Sequence, residues 1–272
     1  MKVVMVNDCA FVGETLLKYM PPYIEKQHIK RTRDLWSKTF GLAYKILRAK
    51  GDMYHVLVAP LCFGKSWSRF GIPKSKIVLY DSVEEAAWLG ESKQESKLPK
   101  ELRDKGRIVL FRNAEYKAAY CRDIKVDVIR LVKELSEMAT VVYLPRYEEE
   151  REQLKNLDNV WVPPKPLLTF QIIPTLDLMV GSGSSICRET ALMGVPTIDF
   201  HFHFWDVIAK YLHKKGFPIQ HVSNTERIVK VAKKILNEPK KNKMRTKRML
   251  KELEQPVPIT VHYIGHVLEN RK

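Results

Sequence analysis

The chain has 272 residues, of which 45% are hydrophobic and 29% are charged, and its formal net charge is +16. This length suits one large α/β domain or two small ones, and no apolar run reaches the roughly 18 residues that span a bilayer. The four cysteines are scattered without metal-ligand spacing, so we expect neither a metal site nor a disulfide framework, and no resident cofactor.

Short apolar strands alternate with helices from the first residues onward. The predicted strands of the first part are 2–6, 24–29, 53–59 and 76–80. Polar residues from Asn7 onward interrupt the first strand too soon for a signal peptide, so we expect a cytoplasmic protein. Asp34 is a plausible N-cap for a helix that closes at Gly51. The charged segment 91–105 contains one proline and predicts a surface linker or hinge.

Beyond this linker the alternation becomes regular. The predicted strands are 107–112, 140–144, 160–162, 176–180 and 197–200. An amphipathic helix over 225–236 follows, with Asn224 or Ser223 as its cap. Helices between short apolar strands imply a parallel sheet that is covered on both faces. The predicted domains are a first α/β half at 1–90, a second at 106–238 and a basic helical segment at 239–272.

The segment 176–198 carries the strongest functional signal. A buried strand ends at Val180, and a turn of small residues then leads into a helix; these residues are Gly181, Ser182, Gly183, Ser184 and Ser185. Glycine lets the backbone turn sharply, and free amides at the positive end of the helix dipole suit a phosphate or diphosphate. Glu189 lies about one helical turn further on, where its carboxylate reaches a ribose diol. A turn that serves packing alone is the competing interpretation.

Two arginines follow neighbouring strands of the predicted sheet. Arg112 ends one strand, and Arg146 follows the next. Because ligands bind beyond the carboxyl ends of parallel strands, we expect both guanidinium groups at the same edge as the turn. Their forked donors pair well with phosphate oxygens. A surface salt bridge is the alternative for each arginine.

Two regions, 26–50 and 230–251, carry much of the excess positive charge. This balance favours an anionic partner, either a nucleotide or an acidic membrane surface to which the protein binds peripherally. A solvated basic helix face is the competing interpretation. No recognised reader motif is visible, so we expect no nucleic-acid partner.

Several short blocks of the sequence match a known pattern in order and spacing. They are 70–73, 76–81, 83–85, 118–120, 144–146, 177–183 and 188–196. In these blocks the chain resembles an uncharacterised, mainly archaeal domain family related to UDP-N-acetylglucosamine 2-epimerases and GT-B glycosyltransferases. Residues 2–10 and 28–31 resemble the start of retaining GT-B glycosyltransferases. The family turn tends to be Gly-Gly-Thr-like, whereas Ser184 and Ser185 stand in its place here.

The resemblance implies two Rossmann-like parallel-sheet halves of the GT-B type, with a shortened N-terminal half. It also implies that the turn amides hold the diphosphate of a sugar nucleotide and that Glu189 binds the ribose. The expected function is that of a glycosyltransferase-like protein, which binds a nucleoside-diphosphate sugar such as a UDP-sugar and transfers its glycosyl group to an acceptor. A non-catalytic binding protein and a sugar-nucleotide epimerase are the alternatives. The sequence identifies no catalytic residue.

Overall fold

A computed structural model describes residues 4–6, 56–64, 73–89, 96–117, 126–182, 184–200, 206–238 and 244–269. The chain divides into two compact units, the first formed by 1–87 with 253–272 and the second by 88–252. The strand predicted at 24–29 and the helix capped by Asp34 lie outside the described residues. The domain boundaries drawn from the sequence stay predictions.

The first unit contains a small parallel sheet. Its strands, in the order β1-β2-β3, are β1 (Val4–Val6), β2 (Val56–Pro60) and β3 (Ile77–Tyr80). The C-terminal helix, Pro256–Glu269, packs on this sheet through Ile259 and Tyr263, which contact the core around Val58 and Tyr80. Because residues four positions apart lie on one helical face, this side of the helix completes the apolar core of the first unit.

The second unit is built on six parallel strands. They are β4 (Ile108–Arg112), β5 (Thr140–Leu144), β6 (Val160–Trp161), β7 (Leu178–Gly181), β8 (Thr197–Asp199) and β9 (Ile219–His221). Their order is β6-β5-β4-β7-β8-β9, and every pair is parallel. This is the order of a doubly wound dinucleotide-binding sheet. The predicted α/β class with parallel sheets is therefore confirmed.

Nine α-helices of the two units lie within the described residues. They are α1 (Ala86–Leu89), α2 (Val128–Ser136), α3 (Glu148–Leu154), α4 (Thr169–Ile172), α5 (Ser184–Leu192), α6 (Val207–Lys215), α7 (Thr225–Asn237), α8 (Met244–Glu252) and α9 (Pro256–Glu269). The side chain of Asn224 accepts a hydrogen bond from the Arg227 N–H at 3.1 Å, which confirms one of the two predicted caps of α7. Across the described ranges, no helix has both the length and the apolar character needed to cross a membrane.

The two faces of the six-stranded sheet carry different side chains. On one face Phe111 stacks on Tyr143 and Phe200, with ring centroids 5.3 and 5.9 Å apart, and α2 and α7 cover this core. Successive residues of a strand point to opposite faces. The side chain of Arg112 therefore leaves β4 on the other face, which it shares with its in-register partner Gly181.

The basic helix α8 has one buried and one charged side. Thr246 and Leu250 are buried, and α8 packs against α5. Four basic side chains of α8 are exposed: Arg245, Lys247, Arg248 and Lys251. This pattern is typical of an amphipathic surface helix, and contact with an anionic membrane stays a prediction.

Candidate functional site

The candidate site lies where the strand order of the second sheet reverses. From the neighbouring strands β4 and β7, the chain winds outward to β5 on one side and to β8 on the other. A crevice opens at such a switch point, beyond the carboxyl ends of the strands, and ligands bind there in doubly wound sheets. Arg112 ends β4 and pairs in register with Gly181 at the end of β7. The fold therefore brings two residues singled out in the sequence to this point.

Gly181 allows the two central strands to approach each other. A Cβ atom at this position would lie 2.9 Å from the main-chain oxygen of Arg112 and 2.7 Å from Cε of Met179. The N–H of Ser182 donates a hydrogen bond to the same Arg112 oxygen at 3.1 Å. That amide is thus committed to the sheet and is not among the donors available to a phosphate. The turn donors that remain come from the residues after it.

Helix α5 supplies those donors. Gly183 lies outside the described residues, and α5 begins at Ser184 directly after the turn. The N–H groups of its first turn have no acceptor within the helix, and the positive end of the helix dipole adds to their attraction for an anion. Ser185 is exposed, whereas Cys187 is buried on the inner side of the helix. The start of α5 therefore carries amides that no carbonyl of the helix accepts, while its inner side packs on the sheet.

Glu189 is half-buried and contacts a residue that is distant in sequence. Its Oε1 accepts a hydrogen bond from Nε1 of Trp88 at 3.2 Å. Burial raises the pKa of the Glu189 carboxyl above its usual value, and the Trp88 hydrogen bond and the charge of Arg188 oppose this rise only in part. A carboxyl group whose pKa is raised by burial is typical of functional sites.

A Glu189→Gln variant should be more stable than the wild type at pH 7. Because the folded chain binds this proton more tightly than the unfolded chain, the stability that the carboxyl contributes is lost as the pH rises through its folded pKa. Glutamine keeps an acceptor for Trp88 and removes the buried charge. We expect a melting temperature roughly 1–2 °C higher at pH 7 and a smaller gain at pH 4, measured by differential scanning calorimetry.

The control for this experiment is Glu101→Gln, which makes the same change of charge at an exposed position. It should show no gain in melting temperature at pH 7. An equal gain in both variants, or a gain in Glu189→Gln that does not depend on pH, would contradict the proposed cost of the Glu189 charge.

Arg112 is partly buried, and nearby carboxylates offset its positive charge only in part. Its Nη1 donates hydrogen bonds to the main-chain oxygens of Leu144 and Pro145 at 3.1 and 2.9 Å. Within the described part of the chain, no carboxylate forms an ion pair with Arg112. Burial lowers the pKa of the Arg112 guanidinium, and the positive charge of Arg146 lowers it further, while Glu150 and Glu115 oppose this fall only in part. This side chain therefore offers positive charge and unused donors at the switch point.

Arg146 is more fully engaged by the protein. Its Nε donates to the main-chain oxygen of Asn113 at 2.9 Å, and its Nη1 lies 3.5 Å from Oε2 of Glu115. The Arg146 N–H and Nδ2 of Asn113 donate to the two carboxylate oxygens of Glu150, each at 2.6 Å. These bonds tie the carboxyl ends of β4 and β5 together. Both predicted arginines lie at one edge of the sheet. Arg146 forms an ion pair with Glu115, and a salt bridge was the alternative to phosphate contact that the sequence left open.

Two residues of this edge were missed from the sequence. Trp88 is separated from Glu189 by 101 positions, so no local spacing relates them. Glu150 belongs to a run of three glutamates at the start of α3, which is typical of a solvated helix terminus, yet it is only 5% exposed. Only its burial in the fold distinguishes Glu150 from the other two glutamates, and the sequence does not encode that burial in any local pattern. No group of three or more metal-binding side chains is present in the described ranges.

A family model covers most of this architecture. It is described as a protein of unknown function (DUF354), and it matches residues 77–269, which include the whole six-stranded sheet. The chain belongs to the DUF354 family. A relative by sequence, the uncharacterized protein MJ0665 of Methanocaldococcus jannaschii, is 25% identical over 114 residues. That match covers 41% of this chain and 33% of the length of the relative.

Solved structures with the same fold include sugar-nucleotide proteins. The S. aureus MnaA–UDP co-structure has a TM-score of 0.62 at 11% identity, covering 98% of this chain and 74% of that one. UDP-GlcNAc 2-epimerase from Neisseria meningitidis bound to UDP-GlcNAc has a TM-score of 0.51 at 14% identity, covering 82% and 63%. The glycotransferase of kitacinnamycin has a TM-score of 0.52 at 11% identity, covering 89% and 67%. At these identities the likeness shows the fold, and it confirms the predicted GT-B-like class.

Proposed function

We propose that this DUF354 protein binds a nucleoside-diphosphate sugar, specifically a UDP-sugar, at the edge between β4 and β7. The observation that carries the proposal is the half-buried guanidinium of Arg112, which has neutral carbonyl partners and stands in register with the end of β7. An anion placed there meets both this charge and the first amides of α5. Glu189 then lies along α5 from the diphosphate, where its carboxylate accepts from the ribose hydroxyl groups.

The reaction that we propose for this site is glycosyl transfer. The bond between C1 of the sugar and the diphosphate oxygen breaks, and an acceptor hydroxyl forms the new bond to C1 and releases its proton to water. Negative charge develops on the departing diphosphate as its bond to C1 breaks. Arg112 and the start of α5 stabilise this charge because they are fixed before the reaction begins. Support from the comparisons lies in the shared fold with a glycotransferase and with a protein solved with UDP.

Epimerisation of the same donor is the second candidate function. It is favoured by the shared fold with the Neisseria meningitidis epimerase, which was solved with UDP-GlcNAc. The two reactions require the same diphosphate and ribose contacts but leave different products. Transfer releases free UDP, whereas 2-epimerisation yields a UDP-sugar whose configuration at C2 is inverted.

Calorimetric titration with UDP, UDP-GlcNAc and uridine tests the binding proposal. We expect UDP and UDP-GlcNAc to bind, and uridine to bind at least 10-fold more weakly because it lacks the diphosphate. Equal affinity for uridine and UDP, or no binding of either nucleotide, would refute the diphosphate site. Proton NMR of the UDP-GlcNAc sample then separates free UDP, formed by transfer of the sugar to water, from a C2 epimer. An unchanged spectrum would show that the protein neither hydrolyses nor epimerises this donor.

A further inference from the structure

Trp88 connects the candidate ribose residue to a distant part of the second unit. Its Nε1 donates to Oε1 of Glu189 at 3.2 Å, and the tryptophan is 49% exposed. It belongs to none of the sequence blocks that resemble the family. A half-exposed tryptophan is not needed to fill the core, so its hydrogen bond to Glu189 indicates a role other than core packing.

The chemistry of Glu189 indicates what that role is. An ionised carboxylate accepts about four hydrogen bonds, and the indole N–H uses one of them. The remaining capacity is enough for the two hydroxyl groups of a ribose diol. A glutamate side chain has several rotamers, and ordering it at the moment of binding reduces affinity. The bond from Trp88 orders Glu189 before the ligand arrives, at a site where burial already disfavours its charge.

We propose that Trp88 is a positioning residue that fixes the Glu189 carboxylate for the ribose 2′,3′-diol and so makes the site select ribonucleotides over 2′-deoxyribonucleotides. This inference rests on the proposed function. Its physical basis is that a half-buried acceptor is left unpaired when the ligand lacks the hydroxyl donor, which lowers the affinity for the deoxy analogue. Selection of this kind depends on the Glu189 carboxylate being held in place. A mobile side chain would turn from a deoxyribose toward water, and its acceptor oxygens would not be left unpaired.

The test compares UDP with 2′-deoxy-UDP in calorimetric titrations of the wild type and of Trp88→Phe. Phenylalanine keeps an aromatic ring and removes the N–H donor. We expect the wild type to bind UDP at least 10-fold more tightly than 2′-deoxy-UDP. In Trp88→Phe the affinity for UDP should fall roughly 5- to 10-fold, while that for 2′-deoxy-UDP stays within about 2-fold. The matched control is Trp161→Phe, on the edge strand β6, which should leave both affinities unchanged.

Each other outcome overturns the inference in a recognisable way. Unchanged affinity for both nucleotides in Trp88→Phe would show that the indole N–H does not position Glu189. Tighter UDP binding would show that the indole competes with the ribose. An equal loss for both nucleotides would indicate contact with the base or the diphosphate instead. If the wild type binds neither nucleotide, the proposed function itself fails. This result differs from those that overturn only the role of Trp88.

Discussion

An Arg112→Gln variant is expected to bind UDP roughly 10- to 100-fold more weakly than the wild type, the loss typical of a charge-assisted hydrogen bond at a partly buried site. Arg112 has no carboxylate partner in the described part of the chain, so its charge is available to a diphosphate. Glutamine keeps an N–H donor on the side of β4 that faces the carbonyl oxygens of Leu144 and Pro145, which limits the effect on folding. The expected loss is therefore one of binding rather than of stability.

The control for this variant is Arg130→Gln. Arg130 lies on α2, where it forms ion pairs with Glu134 and Glu226 at 3.4 and 2.9 Å. Its replacement should leave UDP affinity unchanged. Calorimetry with uridine is the second control, because uridine carries no phosphate and should bind the Arg112→Gln variant as it binds the wild type. Unchanged UDP affinity, or an equal loss of uridine binding, would contradict the assignment of Arg112 to the diphosphate.

A Gly181→Ala variant should lose about 1–3 kcal/mol of unfolding free energy, the usual cost of overpacking a well-packed core. The new Cβ would meet the main-chain oxygen of Arg112 at 2.9 Å, and a backbone atom of a central strand cannot swing aside as a flexible side chain can. β4 and β7 must separate, which weakens the hydrogen bond from Ser182 to that oxygen. The measurement is the shift of the urea unfolding midpoint at constant m-value.

Gly106→Ala is the matched control for Gly181→Ala. A Cβ atom at Gly106 would meet nothing within 4 Å, so this change should alter the unfolding free energy by no more than about 0.5 kcal/mol. An equal loss in both variants would show that the effect comes from glycine replacement in general. Full stability of Gly181→Ala would show that the two strands are not held as closely as the structure indicates.

The regular elements of the second unit could be predicted closely because their signals are local. The strand predicted at 140–144 has the same bounds as β5, and the cap of α7 is one of the two predicted residues. Strand β9 was missed because it is only three residues long, and Gln220 and His221 interrupt its apolar character. Strand existence thus followed from apolar runs wherever those runs were long enough.

The candidate site could be predicted only in outline. The rule that ligands bind beyond the carboxyl ends of strands placed Arg112 and the turn after β7 at one edge. The partners of these groups depend on contacts across the sheet, and no spacing encodes them. The bond of the Ser182 amide to β4, the ion pair of Arg146 with Glu115 and the contact of Trp88 with Glu189 are of this kind. The binding roles of the predicted residues stay predictions.

The most direct test of the central claim is a crystal structure of this protein grown with UDP. We expect electron density for the diphosphate beyond the carboxyl ends of β4 and β7, with its oxygens within about 3.2 Å of the first α5 amides and of the Arg112 guanidinium. The ribose hydroxyl groups should lie at the Glu189 carboxylate. Density for UDP elsewhere on the chain, with these groups left without ligand contact, would refute the proposed diphosphate site.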